Sequence, residues 1–325
     1  MPRHPTPTAL AAAALAGLAA LAAACGGTRG AAGGGADIVV TTPVLGDVVA
    51  EVVGDLATVE VLMPPGADPH AFQPSARQAV ALTEADLVVT AGGGLEAGLA
   101  DAVEAAHDAG VPVFEAVDHV DPLPAGAHEG DDGHALDDGH DHDVDPHVTT
   151  DALRMVEVVE ALAGAVADEV PGIDRGALAA RAAAYIEELR RVDRAMGAEI
   201  ARIPADRRVL VTDHHVFGYL ADRWGFRIVG AVVPSPTTEA APSARHLDEL
   251  ARAVAEHDVP AIFVEAGRDD RLARTLAEEI GDVEVVELYG ETLGEPGSGA
   301  ATYLDMMRTN ASRLADALAP EADGR

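Results

Sequence analysis

Residues 37–54 read DIVVTTPVLGDVVAEVVG. The β-branched run Asp37–Thr41 predicts a strand. Thr42 follows as a helix N-cap, and Pro43 takes the first helical position, where its missing N–H costs nothing. The helix should run to about Gly54. The same alternation then repeats: strand Thr58–Met63, a Ser75-capped helix to Ala85, strand Asp86–Thr90, helix Leu95–Gly110, strand Val111–Ala116. Strands alternating with helices at this spacing predict a parallel sheet, so residues 37–173 read as an α/β domain.

The stretch 117–147 has no apolar period and is rich in His, Asp, Gly and Pro, which marks a long loop. Thr149–Val170 and Asp174–Ile203 read as helices. In the second, Leu178, Ala182, Tyr185, Leu189, Val192, Met196 and Ile200 recur at three- and four-residue spacing. A second α/β series fills residues 203–325, with strands Arg208–Thr212, Arg227–Val232, Ala261–Ala266 and Val283–Leu288, helices between them and a closing helix Ala301–Leu318. The predicted fold class is α/β, with two parallel-sheet domains joined by a single long helix over 174–202.

The first residues differ from the rest. Arg3 and His4 precede a small apolar run over 8–24, which reads as an export signal peptide (1–24). Cys25 is the only cysteine and stands where a bacterial lipobox places the residue that is lipidated. Ala22, three residues earlier, departs from the usual larger aliphatic. Residues 25–36 make a flexible Gly/Ala tether. The expected location is therefore extracytoplasmic and lipid-anchored, the alternative being a soluble periplasmic or secreted protein. With no other thiol, a metal site must use His and carboxylates. The formal net charge is −33, and all 22 basic residues are arginine. A chain this acidic repels nucleic acid and anionic lipid, so neither is an expected partner. The charge suits a cation ligand, but solubility explains it equally well.

Two copies of one tripeptide, Asp68-Pro69-His70 and Asp145-Pro146-His147, carry the chemistry. Proline stiffens each turn, so the imidazole is presented from a fixed loop. An aspartate can accept the ring N–H facing away from a metal and so set the tautomer. Ligands of open parallel sheets lie outside the carboxyl ends of the strands. His70, His147, His214 and Glu291 all follow predicted strand ends, two from each domain, and could converge in the interdomain cleft. Three imidazoles and a carboxylate suit Zn²⁺; hard cations want mostly oxygen. His215 is the neighbouring alternative to His214. The histidines His128, His134, His140 and His142 have no spacing for a tight site. They could collect zinc at low affinity or belong to a loop with no role in transfer.

The run Met63–Ser75, MPPGADPHAFQPS, resembles the PGxDPHxFxP segment of the zinc- and manganese-binding solute-binding proteins of bacterial ABC importers. Asp145–Val148 resembles their DPHxW segment, with Thr149 where tryptophan is common. His214–Leu220 resembles their HDAFGYL segment, and Tyr289–Leu293 a segment whose carboxylate is a ligand, more often Asp than Glu. The resemblance spans about residues 37–318. It implies a rigid linking helix and a metal held between the domains by His70, His147, His214 and Glu291. It also implies a membrane permease as partner, a zinc metallochaperone as a possible donor, and no catalysis. The His-rich loop, and a histidine rather than a carboxylate as third ligand, favour zinc over manganese or iron. A monomer is expected. A zinc hydrolase would need an open coordination position and a general base; no H-E-x-x-H, nucleophile elbow or phosphate loop is present. A surface adhesin is the remaining alternative.

Overall fold

The computed structural model describes residues 37–125, 144–234 and 241–320. Cys25, His128, His134, His140 and His142 lie outside them. The first sheet has strands β1 (Ile38–Val40), β2 (Val59–Val61), β3 (Leu87–Thr90) and β4 (Val113–Glu115), all parallel, in the order β2-β1-β3-β4. The second has β5 (Val209–Thr212), β6 (Arg227–Ala231), β7 (Ala261–Glu265) and β8 (Glu284–Leu288), also parallel, in the order β6-β5-β7-β8. Each order places its first strand in the interior with a reversal of winding beside it. At such a switch point, loops from neighbouring strand ends diverge and leave a crevice.

The helix after β1 shows how the local code works. Helix α1 (Pro43–Val53) begins where Thr42 accepts the N–H of Leu45 and Pro43 takes the first turn. Val44, Leu45, Val48, Val49, Val52 and Val53 are buried along one stripe, the three-to-four spacing of a helix laid on a sheet. Helices α2 (Ala76–Glu84), α3 (Ala100–Asp108) and α4 (Ala152–Glu169) follow in the first lobe. Ser75 and Gln78 form a reciprocal capping box at the start of α2.

The long helix α5 (Arg175–Ile200) has 26 residues, so it spans about 39 Å. Asp174 caps it, accepting from Gly176 and Ala177. The seven apolar positions read from the sequence are all buried in it, together with Ile186. Helix α5 packs against α4, α1 and the closing helix α9 (Tyr303–Leu318). Three short helices complete the second lobe: α6 (Gly218–Trp224), α7 (Ala244–Glu256) and α8 (Arg271–Ile280).

The two lobes share apolar contacts. One core cluster includes Val40 and Val89 of the first sheet, the α5 stripe from Leu178 to Met196, Met306 and Met307 of α9, and Tyr219, Ala266 and Tyr289 of the second lobe. Tyr219 is fully buried; its hydroxyl donates to the carbonyl of Asp145 at 2.6 Å and accepts the N–H of Leu123 at 3.2 Å. Tyr303 likewise donates to the carbonyl of Thr149. Continuous packing of this kind is stiff, because close-packed interiors tolerate little displacement. No described helix is long and apolar enough to cross a membrane.

Candidate metal centre

Each of the four expected residues sits on a loop just beyond a strand's carboxyl end or closes the loop that follows one. His70 belongs to the loop after β2, where the Asp68 carboxylate accepts the His70 backbone N–H at 2.9 Å. His147 opens a single 3₁₀ turn, Val148–Thr150. Asp145 Oδ1 accepts both the His147 backbone N–H, at 2.9 Å, and its Nδ1–H, at 2.7 Å. His214 follows β5 after one residue, and Asp213 repeats the device: Oδ1 accepts the His214 N–H at 2.8 Å and its Nδ1–H at 2.9 Å. Glu291 follows β8. The buried Glu265 carboxylate, at the end of β7, accepts the N–H groups of Gly290 and Glu291. Asn310 of α9 pairs with both backbone groups of Tyr289. Glu291 is therefore firmly held, although its Gly/Pro-rich loop reads as the loosest support in the sequence.

The four side chains meet. One donor atom from each of His70, His147, His214 and Glu291 lies within 4.8 Å of all the others. The ring centroids form a nearly equilateral triangle of 5.8, 5.9 and 6.1 Å. The Nε2 atoms of His70 and His147 lie 2.7 and 3.2 Å from Glu291 Oε1, and that of His214 lies 3.3 Å from Oε2. Four ligands at about 2.0–2.1 Å around one ion would stand about 3.3 Å apart, so the cluster has the dimensions of a coordination shell. All four residues are at most 6% exposed.

Three buried ring nitrogens of the cluster have no hydrogen-bond partner: Nδ1 of His70, and the Nε2 atoms of His70 and His214, which face Glu291. His70 Nε2 is close to Glu291 Oε1 but not aligned with it as a hydrogen bond requires. Buried polar atoms are almost always satisfied, and a single cation at the centre would satisfy both Nε2 atoms. His215 does not join the group.

Charge in the cluster is shared unevenly. Burial pulls His147 down, but Asp145 and Glu291 outweigh it and hold its pKa up at about 9. Burial acts likewise on His214, which Glu291 and Asp213 raise to about 10. His70 has no carboxylate on its Nδ1, and burial leaves it below the ordinary value. Burial opposes ionisation of Glu291, yet His214, His147 and His70 pull its carboxyl well below the usual range. Glu265, by contrast, is pushed up to about 8 by burial and by the charge of Glu291.

The two tripeptides are not equivalent. Asp145 orients the ring of its histidine, as the sequence suggests. Asp68 accepts the backbone N–H of His70 and gives its carboxylate to Arg268, at 2.9 and 3.0 Å. Sequence reasoning missed Arg268, Asp213 and Glu265. Asp213 was findable as an acid beside a histidine, and Glu265 as a lone carboxylate closing the apolar strand AIFVE. Arg268 carries no local signal.

Two parallel α/β lobes sharing a long helix, with a buried three-imidazole, one-carboxylate cluster between their strand ends, define a two-lobed metal-binding protein. The chain belongs to the family described as zinc-uptake complex component A, periplasmic, whose profile matches residues 38–317. That family supplies the metal-binding component of ABC metal uptake, working with permease components, and is not enzymatic.

Relatives include the zinc-binding protein TroA of Treponema pallidum, 30% identical over 303 residues, 90% of this chain and 92% of that one. The manganese-binding lipoprotein MntA of Halalkalibacterium halodurans is 29% identical over 288 residues, 88% of this chain and 89% of that one. The zinc-binding lipoprotein AdcA of Streptococcus pneumoniae is 30% identical over 284 residues, 87% of this chain; the match spans only 56% of AdcA. The solved structure of TroA superposes with a TM-score of 0.76 at 27% identity, covering 88% of this chain and all of that one.

Proposed function

We propose that this chain captures one Zn²⁺ outside the cytoplasm with His70, His147, His214 and Glu291, and presents it to an ABC importer permease. The observation that carries this is the convergence of three imidazole nitrogens and one carboxylate on a single buried point. The names of the relatives include both zinc and manganese, so the choice of metal rests on donor chemistry. Three nitrogens and one oxygen at four-coordinate spacing suit zinc, whereas manganese prefers more oxygen. Two of the three imidazoles give their Nδ1–H to an aspartate, which leaves Nε2 as the donor and raises its basicity.

Anchoring through Cys25 and the Gly-rich tether fits the word lipoprotein in the names of MntA and AdcA. The cleft supplies the whole primary donor set, so His128, His134, His140 and His142 are at most an auxiliary collector. Domain limits at 37–173, 174–202 and 203–325 accord with this division of labour, each α/β lobe contributing two ligands. Calorimetric titration of metal-free protein with zinc, for wild type and for His70→Ala and His147→Ala, tests the assignment. Loss of affinity by orders of magnitude is expected in both variants; wild-type affinity in both would overturn it.

A further inference from the structure

A permanent cation beside a cation site is electrostatically costly, so Arg268 needs a reason to be where it is. It follows β7 in the second lobe, and its side chain is 15% exposed. Its guanidinium forks onto both oxygens of Asp68, in the loop that carries His70, while Nη2 also donates to Glu291 Oε2. The same two loops are tied once more, by the Gly66 N–H donating to Thr292 Oγ1 at 2.6 Å. With Asp213 and His214, Arg268 lines a cleft of about 400 Å³ beside the cluster.

The two oxygens of Glu291 thus have different duties. Oε1 faces the Nε2 atoms of His70 and His147, whereas Oε2 accepts from Arg268 while lying 3.3 Å from His214 Nε2. Bidentate ligation by Glu291 would require Oε2 to weaken a charge-assisted hydrogen bond. We propose that Arg268 is a specificity-determining positioning residue, which limits Glu291 to one ligand oxygen, holds the donor set at four and thereby favours zinc over manganese. Zinc is satisfied by four donors, whereas Mn²⁺ favours six-coordinate, oxygen-rich sites. This rests on the zinc-capture reading and deepens it. It also accounts for the asymmetry of the two Asp-Pro-His turns: Asp68 serves the arginine instead of the imidazole ring.

The test uses Arg268→Met, which keeps length without donors, and Asp68→Asn, which loosens the fork and leaves Glu291 alone. Visible absorption of the Co²⁺-loaded protein reports coordination number, and competition titration gives the ratio of zinc to manganese binding. Wild type should show the intense bands of four-coordinate cobalt. Arg268→Met should show the weaker bands of a higher coordination number, with the ratio moving about tenfold toward manganese, the scale on which outer partners act. Asp68→Asn should move both readings in the same direction by less. An Arg268→Met protein with wild-type spectrum and ratio overturns the proposal. Should that variant fail to fold, unchanged readings in Asp68→Asn overturn it equally. Failure of the wild type to bind zinc or cobalt would instead overturn the capture reading itself.

Discussion

Asp145→Asn and Asp213→Asn, made singly, should weaken metal capture without dismantling the site. Each aspartate accepts an imidazole N–H, at 2.7 Å for His147 and 2.9 Å for His214. Asparagine keeps an oxygen for the backbone N–H of the histidine and removes the charge. Loss of such an outer partner costs about 10–100-fold in metal affinity, or about 1.4–2.8 kcal/mol. The effect depends on pH, because protons compete for the same nitrogens. With burial opposing it and the carboxylates prevailing, His147 sits at about 9 and His214 at about 10. Displacing those protons at pH 7 costs about 3 and about 4 kcal/mol, at about 1.36 kcal/mol per pK unit.

Removing an aspartate's charge weakens the ligand and the competing proton together. The two consequences oppose each other at low pH, and only the first remains once the ring is neutral. Zinc affinity measured against a competing chelator, from about pH 6.5 to about pH 9.5, should therefore show a deficit that grows with pH. A variant matching wild type at the alkaline end, or a deficit largest in acid, would refute the reasoning.

Zinc binding at pH 7 should release about two protons per ion, since His147 and His214 must both deprotonate; calorimetry in buffers of different ionisation enthalpy reads this directly. The metal-free protein should also lose stability in alkali. Both histidines have folded pKa values above the unfolded 6.5, so their stabilisation is complete below that value and is lost as pH rises through 9 to 10; thermal denaturation across that range would show it. Deleting residues 126–143 should leave one tight zinc site, and loss of that site would mean the segment supplies a primary ligand. Tyr219→Phe leaves the Asp145 carbonyl and the Leu123 N–H without their partner. It should cost about 1–3 kcal/mol and lower Tm by about 2–4 °C per kcal/mol.

Legibility in the sequence followed the range of each interaction. The boundary between β1 and α1 was readable because Thr42 and Pro43 act on their immediate neighbours. The long helix was readable because its buried stripe repeats seven times without interruption. The helix expected over Leu95–Gly110 starts later, at Ala100. Gly92, Gly93 and Gly94 all hold positive φ, and the Glu96 carboxylate reaches back to the Ala91 N–H and the Thr41 hydroxyl, which spends that stretch on a turn and a 3₁₀ segment. The helix between β5 and β6 begins only at Gly218 for a similar reason, because Val216 bonds back to the His214 carbonyl and makes a tight turn. The four residues that cluster were legible as candidates because each lies near a strand end in its own segment. Arg268 was not, because its partners lie 200 residues away at Asp68 and 23 away at Glu291, and only the assembled lobes bring them together.

His70, His147, His214 and Glu291 together form the proposed zinc site. Chelator-stripped protein offered excess zinc and manganese together, then desalted and measured for both metals by elemental analysis, tests it most directly. One zinc and no manganese per wild-type chain, with neither metal retained by His214→Ala, is the predicted result. Manganese in place of zinc, or a full equivalent of zinc retained by the variant, would contradict it.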